Sequence, residues 1–94
     1  MERRALSEIE IREKLESLHD WDLREGKLHK LFRFPSFAEA ISWMVAVAIF
    51  ADKIDHHPDW SNVYNRVEVE LITHDLSAVS TWDIELAKKM DSLA

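Results

Sequence analysis

Ser36-Phe37-Ala38-Glu39-Ala40-Ile41-Ser42-Trp43-Met44-Val45-Ala46-Val47-Ala48-Ile49-Phe50-Ala51-Asp52-Lys53-Ile54-Asp55-His56-His57-Pro58 lies at the middle of a 94-residue chain and decides how the rest is read. Ser36 can accept from a free backbone N–H at a helix start, and Glu39, three residues on, favours the positive end of that helix. Apolar side chains follow with the helical repeat, Phe37, Ile41, Met44, Ala48 and Ala51 sharing one side. Pro58 pushes His57 into an extended conformation, so the spacing predicts a helix from Phe37 to about Ile54 that has stopped by Asp55 or His56.

Each side of this helix carries a hairpin signal. Upstream, Trp21-Asp22-Leu23-Arg24 and Leu28 to Phe34 flank Glu25-Gly26-Lys27, where the only glycine supplies the turn. Downstream, Trp60 to Tyr64 and Val67 to Thr73 flank a turn near Asn65, and Val67, Val69 and Leu71 alternate with Glu68 and Glu70 as one buried and one wet face require. The start signal of Ser36 recurs at Ser7-x-x-Glu10 and Ser80-x-x-Asp83. The first predicts a helix from about Glu8 to Leu18, with Ile11, Leu15 and Leu18 inward and Leu6 stapled on Ile11. The other predicts a helix after Ser80, with Val79 stapled on Ile84 and with Trp82, Leu86, Met90 and Leu93 along one side. The order is α-β-β-α-β-β-α, an α+β fold with a four-stranded antiparallel sheet and three helices packed on one face.

The chain is short enough that residues 1–94 are expected to form a single domain around one core. Hydrophobic residues at 47% and charged residues at 32% are globular proportions, and a net charge of -6 disfavours nucleic acid or anionic membrane as a partner. No secretory signal is visible in Met1-Glu2-Arg3-Arg4. The apolar run Ile41 to Ala51 is about half of the roughly 20 residues a membrane span needs. The absence of cysteine excludes disulfides and thiolate metal sites and fits the cytoplasm. Trp43, Val45, Val47, Ile49 and Phe50 leave the middle helix little polar surface, and one small sheet cannot cover it on every side, which predicts self-association.

Histidine is the side chain best suited to give and take a proton near neutral pH, which draws attention to His56 and His57 beside Asp52, Asp55 and Asp59. Spacing alone does not assign them, because a His-His pair at a helix end is as a rule solvated surface. His74, at the end of the last strand before Asp75-Leu76-Ser77-Ala78, is placed to reach a cleft or simply solvent. Asp83 has a structural role ready as the third residue of a capping box. His56 or His57 with His74 and a carboxylate is a conceivable metal set, but no two histidines lie four apart and zinc is disfavoured. No serine sits in a Gly-x-Ser-x-Gly elbow, and a single glycine builds no phosphate loop. His19 and His29 are read as surface residues. Trp21, Trp43, Trp60 and Trp82 are read as core, with Trp60 close enough to Pro58 to wall a cleft.

Taken together, Asp52-x-x-Asp55-His56-His57-Pro58-x-Trp60-x-Asn62-Val63-Tyr64-Asn65-x-Val67, then Thr73-His74, then Asp83 resembles the signature of the pterin-4a-carbinolamine dehydratases. Trp21 and Phe32-x-Phe34-x-x-Phe37-x-x-Ala40 agree, and the likeness runs from about Leu6 to Ala87. The resemblance implies dehydration of a 4a-hydroxytetrahydropterin to the quinonoid dihydropterin, with histidines as acid and base and no metal or other cofactor. By that likeness His56 and His74 would be the acid/base pair and His57 would bind and orient the pterin or assist. Asp83 would support the site, while Asp55, Pro58, Thr73 and Asp75 would line the pocket. Many members have glycine where this chain has Ser77-Ala78, and Asp52 stands where a glutamate is frequent. The family also implies a homodimer or homotetramer, through the middle helix (about 37–54) and sheet edges. It implies as well the alternative of a protein-binding module, a dimerisation cofactor for a transcription factor.

Overall fold

Ser7, Ser36 and Ser80 each cap a helix in the computed structural model, which describes residues 3–94. They open α1 (Glu8–Leu15), α2 (Phe37–Lys53) and α3 (Thr81–Leu93), and at Ser7 and Ser80 the acidic residue three positions on returns the bond to the cap backbone. The first helix is shorter than expected. Beyond Leu15 the amides of Glu16, Ser17 and Leu18 bond to carbonyls three residues back, a tightening of the last turn that still delivers Leu18 to the core.

The two hairpins are β1 (Asp22–Arg24) with β2 (Lys27–Arg33), and β3 (Asp59–Val63) with β4 (Arg66–Leu71). The first turns on Glu25 and Gly26, with φ of 52° and 79°, the mirror-image geometry whose twist matches antiparallel strands. The second turns on Tyr64 and Asn65; Tyr64 takes the left-handed conformation, and Asn65 Nδ2 donates to the Phe34 carbonyl at 2.8 Å. The strands lie in the order β1-β2-β4-β3, antiparallel throughout.

Period-two alternation then sorts the sheet. Leu28 pairs with Leu71 and Phe32 with Val67 on the face toward the helices, where Val69 is also fully buried. Trp43 of α2 packs on Phe32 with ring centroids 4.4 Å apart and donates from Nε1 to the Met90 carbonyl at 3.1 Å, joining sheet, α2 and α3 in one apolar cluster. The inner face of α2 is Ala40, Trp43, Val47 and Ala51, which shares only Ala51 with the side formed by Phe37, Ile41, Met44, Ala48 and Ala51. In a helix apolar nearly all round, the sheet selects the face that presents Trp43 between small residues. Phe37, Val45 and Ile49 are left outside, 50%, 54% and 68% exposed.

On the opposite face of the sheet His29 departs from its surface assignment. It is 8% exposed, with Nε2 3.0 Å from Glu68 Oε2 and 3.3 Å from Arg24 Nη1, and Nδ1 3.4 Å from Asp22 Oδ1. Cross-strand neighbours invisible as sequence spacing cover it. Trp82 is half-buried and lies outside the apolar cluster. No helix among the described residues is long and apolar enough to cross a membrane.

Candidate active site

The middle helix ends before Pro58 acts on it. Asp55 takes the left-handed conformation (φ 52°), its N–H bonds to the Asp52 carbonyl at 3.2 Å, and the N–H of His56 bonds to the Ala51 carbonyl at 3.0 Å. This is the Schellman pairing, which satisfies the last carbonyls of α2 and stops the helix at Lys53, with Asp55 in the position usually given to glycine. The helix thus ends one residue short of the expected Ile54. The reversal sends His56 inward and His57 outward, and Pro58 then starts the chain into β3.

His56 is 7% exposed, and its Nε2 lies 2.6 Å from Oδ1 of Asp83, which is fully buried. Oδ2 of Asp83 accepts from Thr73 Oγ1 and from the Ser80 backbone N–H, both at 2.8 Å. Thr73 Oγ1 is also 2.5 Å from Ser80 Oγ. One carboxylate thus closes the N-terminal cap of α3, anchors the segment after β4 and holds an imidazole from the end of α2. Cap and site are two uses of the same group.

His57 is exposed, with Nε2 3.3 Å from Asp52 Oδ1. It borders an open hollow of about 530 Å³ walled by Pro58, Trp60, Asp52 and the α2 residues Val45, Ala48 and Ile49, which is the size range of small-ligand sites. The expected role of Trp60 as a wall is seen here.

His74 does not end a strand. Strand β4 stops at Leu71, and His74 opens a single 3-10 turn (His74–Leu76). Paired backbone bonds between Thr73 and Ala78 close this turn, and Ser77 inside it is left-handed at φ 50°. The imidazole is exposed, with Nε2 3.2 Å from Oδ2 of Asp59, the residue after Pro58. Asp75 faces Arg3 at 3.7 Å. Asp55 is exposed, whereas Thr73 is turned inward at 1% exposure, its hydroxyl spent on Asp83, so it supports the site from beneath instead of lining it.

The three histidines are thus gathered around the segment 55–59 but presented differently. His56 faces Asp83, His57 faces the hollow, and His74 faces Asp59; the hollow's lining includes His57 and neither of the other two. Sequence reasoning noted Asp59 beside His56 and His57 and not as the partner of His74, and it did not place Ser80 in the site. Ser80 was visible as a cap, but its closeness to Thr73 depends on the Thr73–Ala78 closure. Among the described residues no group of three or more His, Asp and Glu side chains is placed to hold a metal ion.

Residues 4–93 match the family model described as Pterin 4 alpha carbinolamine dehydratase. A relative from Prochlorococcus marinus, provisionally named a pterin-4-alpha-carbinolamine dehydratase, is 42% identical over 93 residues, covering 99% of this chain and 97% of its own length. One from Jannaschia, named in the same way, is 53% identical over 76 residues, covering 79% of this chain and 78% of its own. A crystal structure from Brucella melitensis, described as a transcriptional coactivator/pterin dehydratase, superposes with a TM-score of 0.93 at 40% identity over 97% of this chain and 99% of that one.

Proposed function

The chain belongs to the pterin-4a-carbinolamine dehydratase family, and from that premise we propose that it converts a 4a-hydroxytetrahydropterin to the quinonoid dihydropterin and water. The observation that carries this reading is the buried His56–Asp83 pair at 2.6 Å, with His57 next to His56 in sequence and His74 against Asp59, three residues beyond His56. In the reaction the N5–H bond and the C4a–O bond break, N5=C4a forms, and the hydroxyl leaves with an added proton as water. A base near N5 and an acid near the 4a oxygen suffice, a division of labour open to two imidazoles without a metal or other cofactor.

His56 and His74 are the acid/base pair. Asp83 keeps the His56 ring oriented and stabilises it when it is positively charged, and Thr73 holds Asp83. His57 binds and orients the planar pterin, whose apolar face the hollow against Pro58 and Trp60 would suit, with Asp55 and Asp75 as further pocket residues. Chelator-treated protein is expected to accelerate loss of a 4a-hydroxytetrahydropterin, and His56→Ala or His74→Ala to lose about 10²-fold or more of that rate. Full activity in the double variant refutes the mechanism.

A second reading is favoured by the exposed Phe37, Val45 and Ile49 stripe on α2. In it residues 1–94 act as one domain in the cytoplasm, assemble as a homodimer or homotetramer through α2 and a sheet edge, and offer the same stripe to a partner protein as a dimerisation cofactor or coactivator. A solution mass equal to the 11.0 kDa of one chain at micromolar concentration counts against the assembly.

A further inference from the structure

We propose that the N-terminal cap of α3 sets the tautomer of His56, with Ser80 as a positioning residue that acts through Thr73 and Asp83; the inference rests on the acid/base reading above. The directions of the hydrogen bonds follow one from another. Ser80 Oγ accepts from the N–H of Trp82 at 3.2 Å and from the N–H of Asp83 in the capping box. With both lone pairs engaged, its own proton has to be donated. The acceptor in reach is Thr73 Oγ1, at 2.5 Å. Thr73, having accepted, donates to Asp83 Oδ2 at 2.8 Å, beside the Ser80 backbone N–H at 2.8 Å.

Oδ2 therefore holds two donors, and Oδ1 is left for His56 Nε2. A carboxylate accepts on every side, so the imidazole donates: the proton sits on Nε2 and the free lone pair on Nδ1. Among the described residues no buried side-chain nitrogen or oxygen lacks a partner, and Nδ1 of His56 has none, which places Nδ1 in the small exposed part of the ring. Nδ1 is then the atom that takes the N5 proton, forming Nδ1–H as N5–H breaks, while Asp83 faces the resulting imidazolium. Ser80 and Thr73, at 0% and 1% exposure, never touch substrate.

The test is nitrogen-15 NMR of the imidazole rings in the labelled full chain, which distinguishes protonated from bare ring nitrogens. Neutral wild-type His56 is expected to show a protonated Nε2 and a bare Nδ1. In Asp83→Asn the oxygen side of the amide stays with Thr73 and Ser80, so its NH2 turns to His56 and the tautomer reverses. Thr73→Val keeps the volume and the Ser80 cap but removes one donor. With only the Ser80 N–H left on Oδ2 the carboxylate can swing off Nε2, and an imidazole without a fixed acceptor takes both tautomers. A mixture is therefore expected, with a kcat lower by about tenfold and KM within about twofold, and Thr73→Ser should restore both. Ser80→Ala should give the same mixture; if it does not fold, Thr73→Val carries the test. A wild-type His56 protonated on Nδ1, as a protonated Asp83 would impose, overturns the proposal, as does an unchanged tautomer in Thr73→Val. Absence of pterin turnover in wild type defeats the dehydratase reading alone and leaves the spectrum to decide this one.

Discussion

Oδ1 of Asp83 and Nε2 of His56, 2.6 Å apart, fasten the end of α2 to the first turn of α3 across a gap of 27 residues in sequence. Removing one member of a buried pair leaves the other uncompensated, a loss of about 3–5 kcal/mol where water cannot enter. His56 lies beside solvent, so His56→Ala admits water to the carboxylate and is expected at the lower end, about 3 kcal/mol. Asp83→Ala also removes the return bond to the Ser80 N–H in the α3 capping box, an additional loss of about 1 kcal/mol. Urea unfolding of the two variants should rank Asp83→Ala as the less stable, and the reverse order would mean that the cap contributes nothing.

A second carboxylate secures the other end of α3. Asp91 Oδ1 accepts from Lys30 Nζ at 2.8 Å and Trp21 Nε1 at 2.9 Å, and Oδ2 from the His19 N–H at 3.0 Å, while Lys30 lies over the Phe32 ring at 4.3 Å. Both charged side chains are close to nine-tenths buried. Asp91→Ala is therefore expected to lower the unfolding free energy by about 3 kcal/mol. Because Asp83 opens α3 and Asp91 ends it, turnover measured where the variant remains folded should match wild type. A catalytic defect at full folding would show that the two ends are coupled.

Much of this fold is written in local chemistry. Ser7, Ser36 and Ser80 announce their helices because a cap is satisfied within three residues, and Val67-Glu68-Val69-Glu70-Leu71 announces its strand because burial alternates with the pleat. What spacing could not convey depends on partners far along the chain. The inner face of α2 is not legible because a helix apolar all round has no periodicity to read, and the choice of Ala40, Trp43, Val47 and Ala51 is made by Phe32 and Met90. Asp55 carries no sequence mark of its left-handed backbone, so the end of α2 was assigned to Pro58. The site was legible as a set of residues, His56 and His57 among them. Which of them turns inward was fixed by Asp83, and no pattern around His29 foretold Asp22 and Glu68 as its cover.

Acid should reveal the α1 cap. The Glu10 carboxyl accepts from the Arg4 guanidinium at 3.0 and 3.3 Å and from the Ser7 N–H at 3.0 Å, and chiefly through Arg4 it is held down to about 2 from an ordinary 4.5. A carboxyl depressed on folding adds stability that is present above its unfolded value and lost as pH falls through its folded one. Wild type should therefore exceed Glu10→Gln in stability at pH 7, with the difference shrinking from about pH 4.5 and gone below about pH 2. The group is exposed, so the difference should also shrink with added salt. Paired thermal melts at pH 7 and pH 3 measure it, and a gap that widens on acidification would reverse the sign.

The turn that presents His74 contains the strained position at which the family's glycine was weighed. Ser77, not Ala78, has the positive φ, at 50°, and it follows the 3-10 turn that the Thr73–Ala78 bonds close. A side chain in the left-handed region costs about 1 kcal/mol relative to glycine, partly offset by the greater freedom glycine has when unfolded. Ser77→Gly is thus expected to stabilise by about 0.5 kcal/mol, and Ser77→Val, branched at Cβ, to destabilise by more than that. Urea midpoints give the ranking. If strain at Ser77 also sets where His74 stands against Asp59, 3.2 Å away, Ser77→Val should lower kcat while leaving the His56 tautomer untouched, because that tautomer is set on the far side of Thr73.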